Sequence, residues 1–330
     1  MRWIYKKWKM LLLTFTLILV AGAGSYAWWL YDSLNSLSKD QQHTRFPASS
    51  VATMGTKPAP EPPKWEGEER VNILLLGADT RGLQKTESPR TDSMIIASIN
   101  PLTKQAQLMS VMRDAVIDIP NMGQDRANTV LQAGGPNLVM QTIGKWTGLD
   151  IQYYVYTDFE GFIALIDAMG GIEMDVEKDM DYTSKADKHQ YDIHLKKGKQ
   201  LLDGSSALQY VRFRHDALSD YSRTKRQREM LGAVAQKMKS AWSILTLPNL
   251  IHKMSPYVET NLTADDMIKL GMLGMQINVG PSQQLPPTEL LVEKRIHNAA
   301  VLGVKSEEEL RMYIRQLLKE NDPATSAAPH

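Results

Sequence analysis

Four groups of charged residues in this chain have the makeup of a phosphate-handling site. The first is Gly77-Ala78-Asp79-Thr80-Arg81, followed by Arg90-Thr91-Asp92-Ser93. Two carboxylates at strand ends can share a hard cation such as Mg²⁺, which completes its octahedron with water and phosphate oxygens. The same aspartates would also suit turns, capping loops and bonding Arg81 and Arg90. The second group, Arg113-Asp114, ends a strand-like run, and alone it reads as a surface ion pair. In the third, Tyr210-Val211-Arg212-Phe213-Arg214, apolar residues alternate with two arginines. Extended backbone would put both guanidiniums on one side. Like charges held side by side call for an anion between them, and planar guanidinium forks match phosphate oxygens in pairs.

The fourth group is Asp220, Arg223, Arg226 and Gln227, at the start of a helix predicted over residues 223–240. Its apolar stripe, Met230 or Leu231 with Val234 and Met238, extends back one turn to Gln227 and then Arg223. An inward arginine there needs either the carboxylate of Asp220 or a bound anion, which the N–H groups of a helix N-terminus favour.

The intervening segments alternate between strand and helix. Residues 71–76 (VNILLL) form an apolar run ending at a glycine, as a buried strand does. Residues 92–99 and 105–112 predict two more strands around an Asn100-Pro101 turn, and 116–119 a short one stopped by Pro120. Helices are predicted over 137–146 and 159–169, with strands at 152–157 and 172–176. Two more helices follow Thr263 as N-cap and Ser306 with Glu309. The expected fold class is α/β, a layered domain over residues 70–320 with a central mixed sheet flanked by helices.

Before that domain, residues 10–31 contain no charged side chain. At about 1.5 Å per residue such a helix spans roughly 30 Å, the depth of a bilayer core. Arg2, Lys6, Lys7 and Lys9 precede it, and Trp28, Trp29 and Tyr31 mark its far end. The expectation is one membrane crossing with residues 1–9 cytoplasmic and the remainder outside. Ser25-Tyr26-Ala27 also offers a signal-peptide cleavage site, but the apolar run continues through Trp29. Residues 32–69, with Pro47, Pro58, Pro60, Pro62 and Pro63, read as a linker, and 321–330 as a disordered tail.

The chain has 38 Lys plus Arg against 37 Asp plus Glu; removing the four N-terminal cations leaves 34 against 37. A slightly acidic domain argues against a nucleic-acid partner. Without cysteine there is no disulfide, thiolate metal site or thiol nucleophile. The seven histidines show no metal-ligand spacing, and the glycine loops do not match a nucleotide cradle.

Taken together, the stretches NILLLGADTR, PRTDSMIIASINP, the MRD of LMSVMRDAVIDIP, NTVLQAGGP, TDFEGFIALIDAMGGIEMDV, KGKQLLDGSSALQYVRFR and DYSRTKRQRE resemble the LytR-CpsA-Psr domain, from about Val71 to Met238. The resemblance implies a phosphotransferase that moves an anionic glycopolymer, such as teichoic acid or capsule, from a polyprenyl pyrophosphate carrier to peptidoglycan. It implies Asp79 and Asp92 as carboxylates for Mg²⁺, and Arg90, Arg113, Arg212, Arg214, Arg223 and Gln227 as the pyrophosphate set, with Arg81 a weaker member. The resemblance also implies Asp220 as the base, Arg113 as a catalytic group, and a pyrophosphatase side activity. Alternatives are a non-enzymatic binder of the lipid carrier and a membrane-bound regulator. Val111-Met112 and Arg126-Ala127-Asn128 depart from the family's Ile-Pro and Lys-Ile-Asn, with no charged position lost. Leu138, Val139, Ile143, Trp146, Phe162, Ile163 and Ile166 are candidates for a lipid groove, although such stripes are more often core.

Overall fold

Residues 2–39, 46, 61–80, 89–183, 192–214, 219–296 and 299–320 are described by the computed structural model. Strand β1 (Val71–Ala78) alternates between the two faces of the sheet it centres. It pairs antiparallel with β2 (Thr91–Asn100) and parallel with β6 (Tyr153–Asp158). β2 continues antiparallel into β3 (Gln105–Val111), through a turn in which the Asn100 side chain accepts the Leu102 and Thr103 N–H groups. β11 (Val258–Thr260) closes one edge on β6. β12 (Asn278–Val279) and β13 (Gln283–Leu285) run parallel to β3 at the other. The described residues thus form a mixed sheet of seven strands, as the strand and helix spacing predicts.

One face of the sheet is closed. Leu74, Leu76, Met94, Ile96, Met109 and Tyr156 are buried against α2 (Val130–Thr147) and α8 (Glu307–Glu320). Burying each such side chain stabilises the fold by roughly 1.5–3 kcal/mol. The Ser306 hydroxyl accepts the Glu309 N–H and so starts α8 where its sequence suggests. α2 is two helical pieces. Gly135 has φ 70°, which only glycine adopts freely, and Pro136 lacks an N–H, so the regular part begins at Asn137 as the sequence indicates.

The opposite face carries α3 (Phe159–Ala168), α4 (Gly204–Arg212), α5 (Ser219–Met238) and α6 (Ala241–Met254). At one end of this face Val71, Tyr153, Leu262 and Leu273 pack closely, the last from α7 (Ala264–Gly274). The Thr263 capping box that starts α7 is formed in full. At the other end the helices stand off the sheet.

Helix α1 (Arg2–Lys39) runs past the predicted end of the membrane span at residue 31, and its apolar stretch covers Leu12–Ser38. The segment expected to begin a linker at residue 32 is therefore helical as far as Lys39. Leu30, Leu34 and Leu37 recur at helical spacing and pack on Ile251 and Ala264, which extends the helix onto the domain. Most of the rest of that linker, and the tail after Glu320, lie outside the described residues.

A second expectation is overturned at residues 210–214. Tyr210, Val211 and Arg212 are the last turn of α4, and only Phe213 and Arg214 leave the helix. Asp203 caps α4 by accepting the Ser206 N–H, and Ala207, Leu208, Tyr210 and Val211 bury one face. Helical burial outweighs the short alternation of apolar and charged residues.

Candidate functional site

Where α3, α4 and α5 stand off the sheet they enclose a cavity of about 640 Å³. Its inner walls are Leu75, Ile95 and Val155 from the sheet and Phe162, Leu165, Leu208, Met230, Leu231 and Val234 from the helices. Its mouth carries Asp79, Asp92, Arg113, Asp158, Arg212, Arg214, Arg223 and Gln227. Apolar walls below a charged rim suit an amphiphile with a long hydrocarbon chain and an anionic head.

Several local devices hold the mouth. The β1–β2 register steps from Gly77↔Ser93 to Ala78↔Thr91, leaving Asp92 as the extra residue of a β-bulge. Such a bulge re-aims a side chain at a sheet edge. Asp92 Oδ1 accepts from Arg113 Nη1 at 2.9 Å, and Asp114 lies 3.3 Å from Arg113 Nε. Arg113 thus faces the sheet edge between two carboxylates, and its carbonyl accepts the Asn128 N–H. Asp158 ends β6 beside β1, and its side chain caps α3 by accepting the Gly161 N–H. Away from the mouth, the Gly204 N–H donates to Asp167, which fixes the start of α4 against the end of α3.

Arg212 lies 5.1 Å from the Phe159 ring, a cation–π contact that orients its guanidinium. Arg223 is only 3 % exposed, and the neighbouring Thr224 hydroxyl donates to Gln284. Gln284 in turn contacts Met112 just after β3, so the first turns of α5 are tied to the segment that leads from β3 to Arg113. Gln227 donates to the Val211 carbonyl at 3.5 Å, linking α5 to α4.

Of the residues singled out from sequence, Asp79, Asp92, Arg113, Arg212, Arg214, Arg223 and Gln227 come to this one mouth. Arg90 is exposed just before β2 and does not line the cavity. Arg81 lies outside the described residues. The backbone of Asp220 is in the first turn of α5, and its side chain lies outside what is described. Among the groove candidates Phe162 lines the cavity; Leu138, Val139, Ile143 and Trp146 belong to the closed core, and Ile163 and Ile166 to the helix layer.

The sequence reading placed Arg226 in the fourth group without a role and did not single out Arg228, Asp158 or Phe159. Arg226 is 2 % exposed; it pairs with Glu177 at 2.8 Å and donates to the Phe213 carbonyl at 2.6 Å. It also lies 5.4 Å from the Phe213 ring, between the two mouth arginines of that segment. Arg228 is buried on another side of α5, and burial lowers its pKa from the ordinary value while Tyr221 and Glu229 oppose the shift. A single apolar stripe cannot reveal them, because α5 is covered on more than one side. For Asp158 the signal was present: an Asp three residues before Gly161, at the N-cap of a predicted helix.

For a magnesium ion the mouth offers the carboxylates of Asp79 and Asp92, Asp158 being engaged as the cap of α3. Among the described residues no three His, Asp or Glu side chains gather as a metal-binding group. Two mouth carboxylates match the donor type, though not the full donor count, of an ion otherwise held by phosphate oxygens and water.

The LytR_cpsA_psr family profile matches residues 31–317. The chain belongs to this family. Among its members, the polyisoprenyl-teichoic acid–peptidoglycan teichoic acid transferase TagU of Enterococcus faecalis is 32 % identical over 255 residues, 77 % of each chain. The regulatory protein MsrR of Staphylococcus aureus is 34 % identical over 210 residues, 63 % of this chain and 61 % of MsrR, so the match spans about three fifths of that relative. The solved structure of TagT bound to LI-WTA superposes with a TM-score of 0.64 at 26 % identity, covering 79 % of this chain and 94 % of TagT. TagV of Bacillus subtilis superposes with a TM-score of 0.63 at 25 % identity, covering 77 % and 97 %. The family's sheet and flanking helices are thus those described above.

Proposed function

We propose that this chain is a membrane-anchored, extracytoplasmic phosphotransferase that moves an anionic glycopolymer from a polyprenyl pyrophosphate carrier to peptidoglycan. The observation that carries the reading is the cavity itself, apolar within and rimmed by Arg113, Arg212, Arg214 and Arg223. The transferase name of the TagU relative supports the reaction class, and the α1 apolar stretch supports the anchor. The isoprenoid chain lies along Leu75, Ile95, Phe162 and Val234, while the arginines neutralise the pyrophosphate.

A sugar hydroxyl of the wall forms a new P–O bond to the phosphorus that carries the polymer. The bond from that phosphorus to the bridging oxygen breaks, and polyprenyl phosphate leaves with the bonding electrons. Phosphoryl transfer depends chiefly on position and charge neutralisation, which the guanidiniums supply. Asp220 takes the hydroxyl proton, and Arg113, steadied by Asp92 and Asp114, contributes positive charge at the reacting phosphate. Asp79 and Asp92 would hold Mg²⁺, whose contribution when bound is to neutralise the phosphate oxygens.

Asp220→Asn tests the step. A positioned base contributes about 10²- to 10⁴-fold, so transfer of labelled polymer from a short-chain lipid analogue to peptidoglycan should fall by that order. Lipid binding and melting temperature should stay near wild type. Transfer at the wild-type rate removes Asp220 from the mechanism; a joint loss of binding and stability makes it a structural partner of Arg223.

A further inference from the structure

The end of the domain away from the arginine mouth exposes a group of apolar side chains. Ile244 and Leu245 begin α6, Met272 and Met275 close α7 and the segment after it, Val279 is on β12, and Leu102 tips the β2–β3 turn. Leu245, Met272 and Leu102 are 63 %, 60 % and 78 % exposed. Contacts bring their elements together. Lys239, just after α5, donates to the Ile277 carbonyl, which sets the start of α6 beside the segment following α7. The Asn278 N–H donates to the Lys104 carbonyl at 2.9 Å, which sets that segment beside the turn.

Helix α1 fixes what lies next to this end. The Tyr26 hydroxyl donates to the Ile244 carbonyl, while Leu30, Leu34 and Leu37 pack with Leu247, Ile251 and Ala264. α1 and α6 therefore run side by side in the same direction. The first turn of α6 stands level with Tyr26, inside the apolar stretch Leu12–Ser38 and next to the exposed Trp28 and Trp29. A helix that crosses a bilayer with its aromatic belt at this height carries Ile244 and Leu245 into the interface.

We propose that this end of the domain, bearing Ile244, Leu245, Met272, Met275, Val279 and Leu102, is seated in the membrane interface beside α1. Continuity with the apolar stretch of α1 selects a lipid surface as the occupant over a second copy or a soluble protein. The seat also gives the cavity a direction. α5 rises about 16 Å from Arg223 at the mouth to Val234 at the cavity's inner end, at 1.5 Å per residue, and ends beside this patch. The anionic head then stands above the membrane while the inner end of the cavity points to the acyl layer. An isoprenoid chain can thus reach the cavity with little passage through water, where its apolar surface is costly to expose.

The proposal rests on the membrane-anchored reading, and the absence of cysteine permits a test that separates the two. Single variants of the full chain, Leu245→Cys and Met272→Cys, carry a bimane label in vesicles of phosphatidylglycerol and brominated phosphatidylcholine. Leu17→Cys on α1 is the anchor reference, and Met122→Cys and Met312→Cys, on the other side of the sheet, are the water references. The expected result is loss of emission to brominated lipid at Leu17, Leu245 and Met272, and to aqueous iodide at Met122 and Met312. Lipid quenching at Leu17 with iodide quenching at Leu245 and Met272 overturns the seat and leaves the anchor standing. Protection of Leu245 and Met272 from both quenchers means a protein covers the patch and likewise overturns it. A Leu17 label unquenched by lipid overturns the anchor and the seat together.

Discussion

The two faces of the central sheet are built from neighbouring residues of the same strands and are used differently. Leu74 and Leu76 point into a closed core under α2 and α8, whereas Leu75, between them, borders the cavity under α3, α4 and α5. Alternation along a strand separates stability from binding at intervals of one residue. The closed face can be packed to full density because nothing must enter it. The other face keeps about 640 Å³ open, and its helices are joined by polar ties, the Gly204 N–H to Asp167 between α4 and α3 and Arg226 to the Phe213 carbonyl between α5 and the end of α4.

The largest effect that would sharpen this contrast is Leu74→Ala, which should destabilise the fold by about 4 kcal/mol through lost burial and the cavity left behind. Denaturant unfolding measures it, and a loss below about 1 kcal/mol would mean that the closed face is not tightly packed. Arg226→Met should cost about 3 kcal/mol, because a charge-assisted bond to the Phe213 carbonyl and the ion pair with Glu177 go together. It should weaken lipid binding as well, since Phe213 sits between Arg212 and Arg214. Unchanged binding in a variant that still folds would show that Arg226 does not position the mouth.

Arg214→Ala should leave unfolding nearly unchanged and weaken binding of a polyprenyl pyrophosphate by about 2 kcal/mol, the scale of one charge-assisted hydrogen bond. Direct titration checks this, and wild-type affinity would exclude Arg214 from the site. Leu75→Ala should destabilise far less than Leu74→Ala, by less than about 1.5 kcal/mol, because its side chain already borders open space. If it destabilises as much as Leu74→Ala, the two faces are not the distinct environments described.

Much of this was legible in the sequence, and the exceptions have physical causes. β1, β2, β3 and β6 have long apolar or alternating runs, and Thr263, Ser306 and Gly135-Pro136 punctuate helices unambiguously. β5 (Gly123–Arg126), with the sequence GQDR, is polar and pairs only within a two-stranded hairpin, so no hydrophobic period marks it. α6 contains Pro248, which argues against a helix until tertiary packing is known. Seven of the residues singled out meet at one mouth because polar and charged groups at strand and helix ends converge on one sheet edge. Arg212 was singled out for the wrong reason: its alternation with Phe213 and Arg214 suggested a strand, while Tyr210-Val211-Arg212 completes a helix. The role of Arg226, named in the fourth group, escaped because it depends on the Phe213 carbonyl, a backbone partner that sequence cannot show.

The most direct test of the central claim is mass spectrometry of lipid extracted from the full chain purified in detergent, alongside a Val234→Trp variant that fills the inner end of the cavity. Polyprenyl phosphate or pyrophosphate should accompany the wild-type protein and be lost from Val234→Trp at an unchanged melting temperature. Recovery of membrane phospholipid alone from the wild type, or equal polyprenyl lipid from both proteins, would contradict the assignment of this cavity to the carrier.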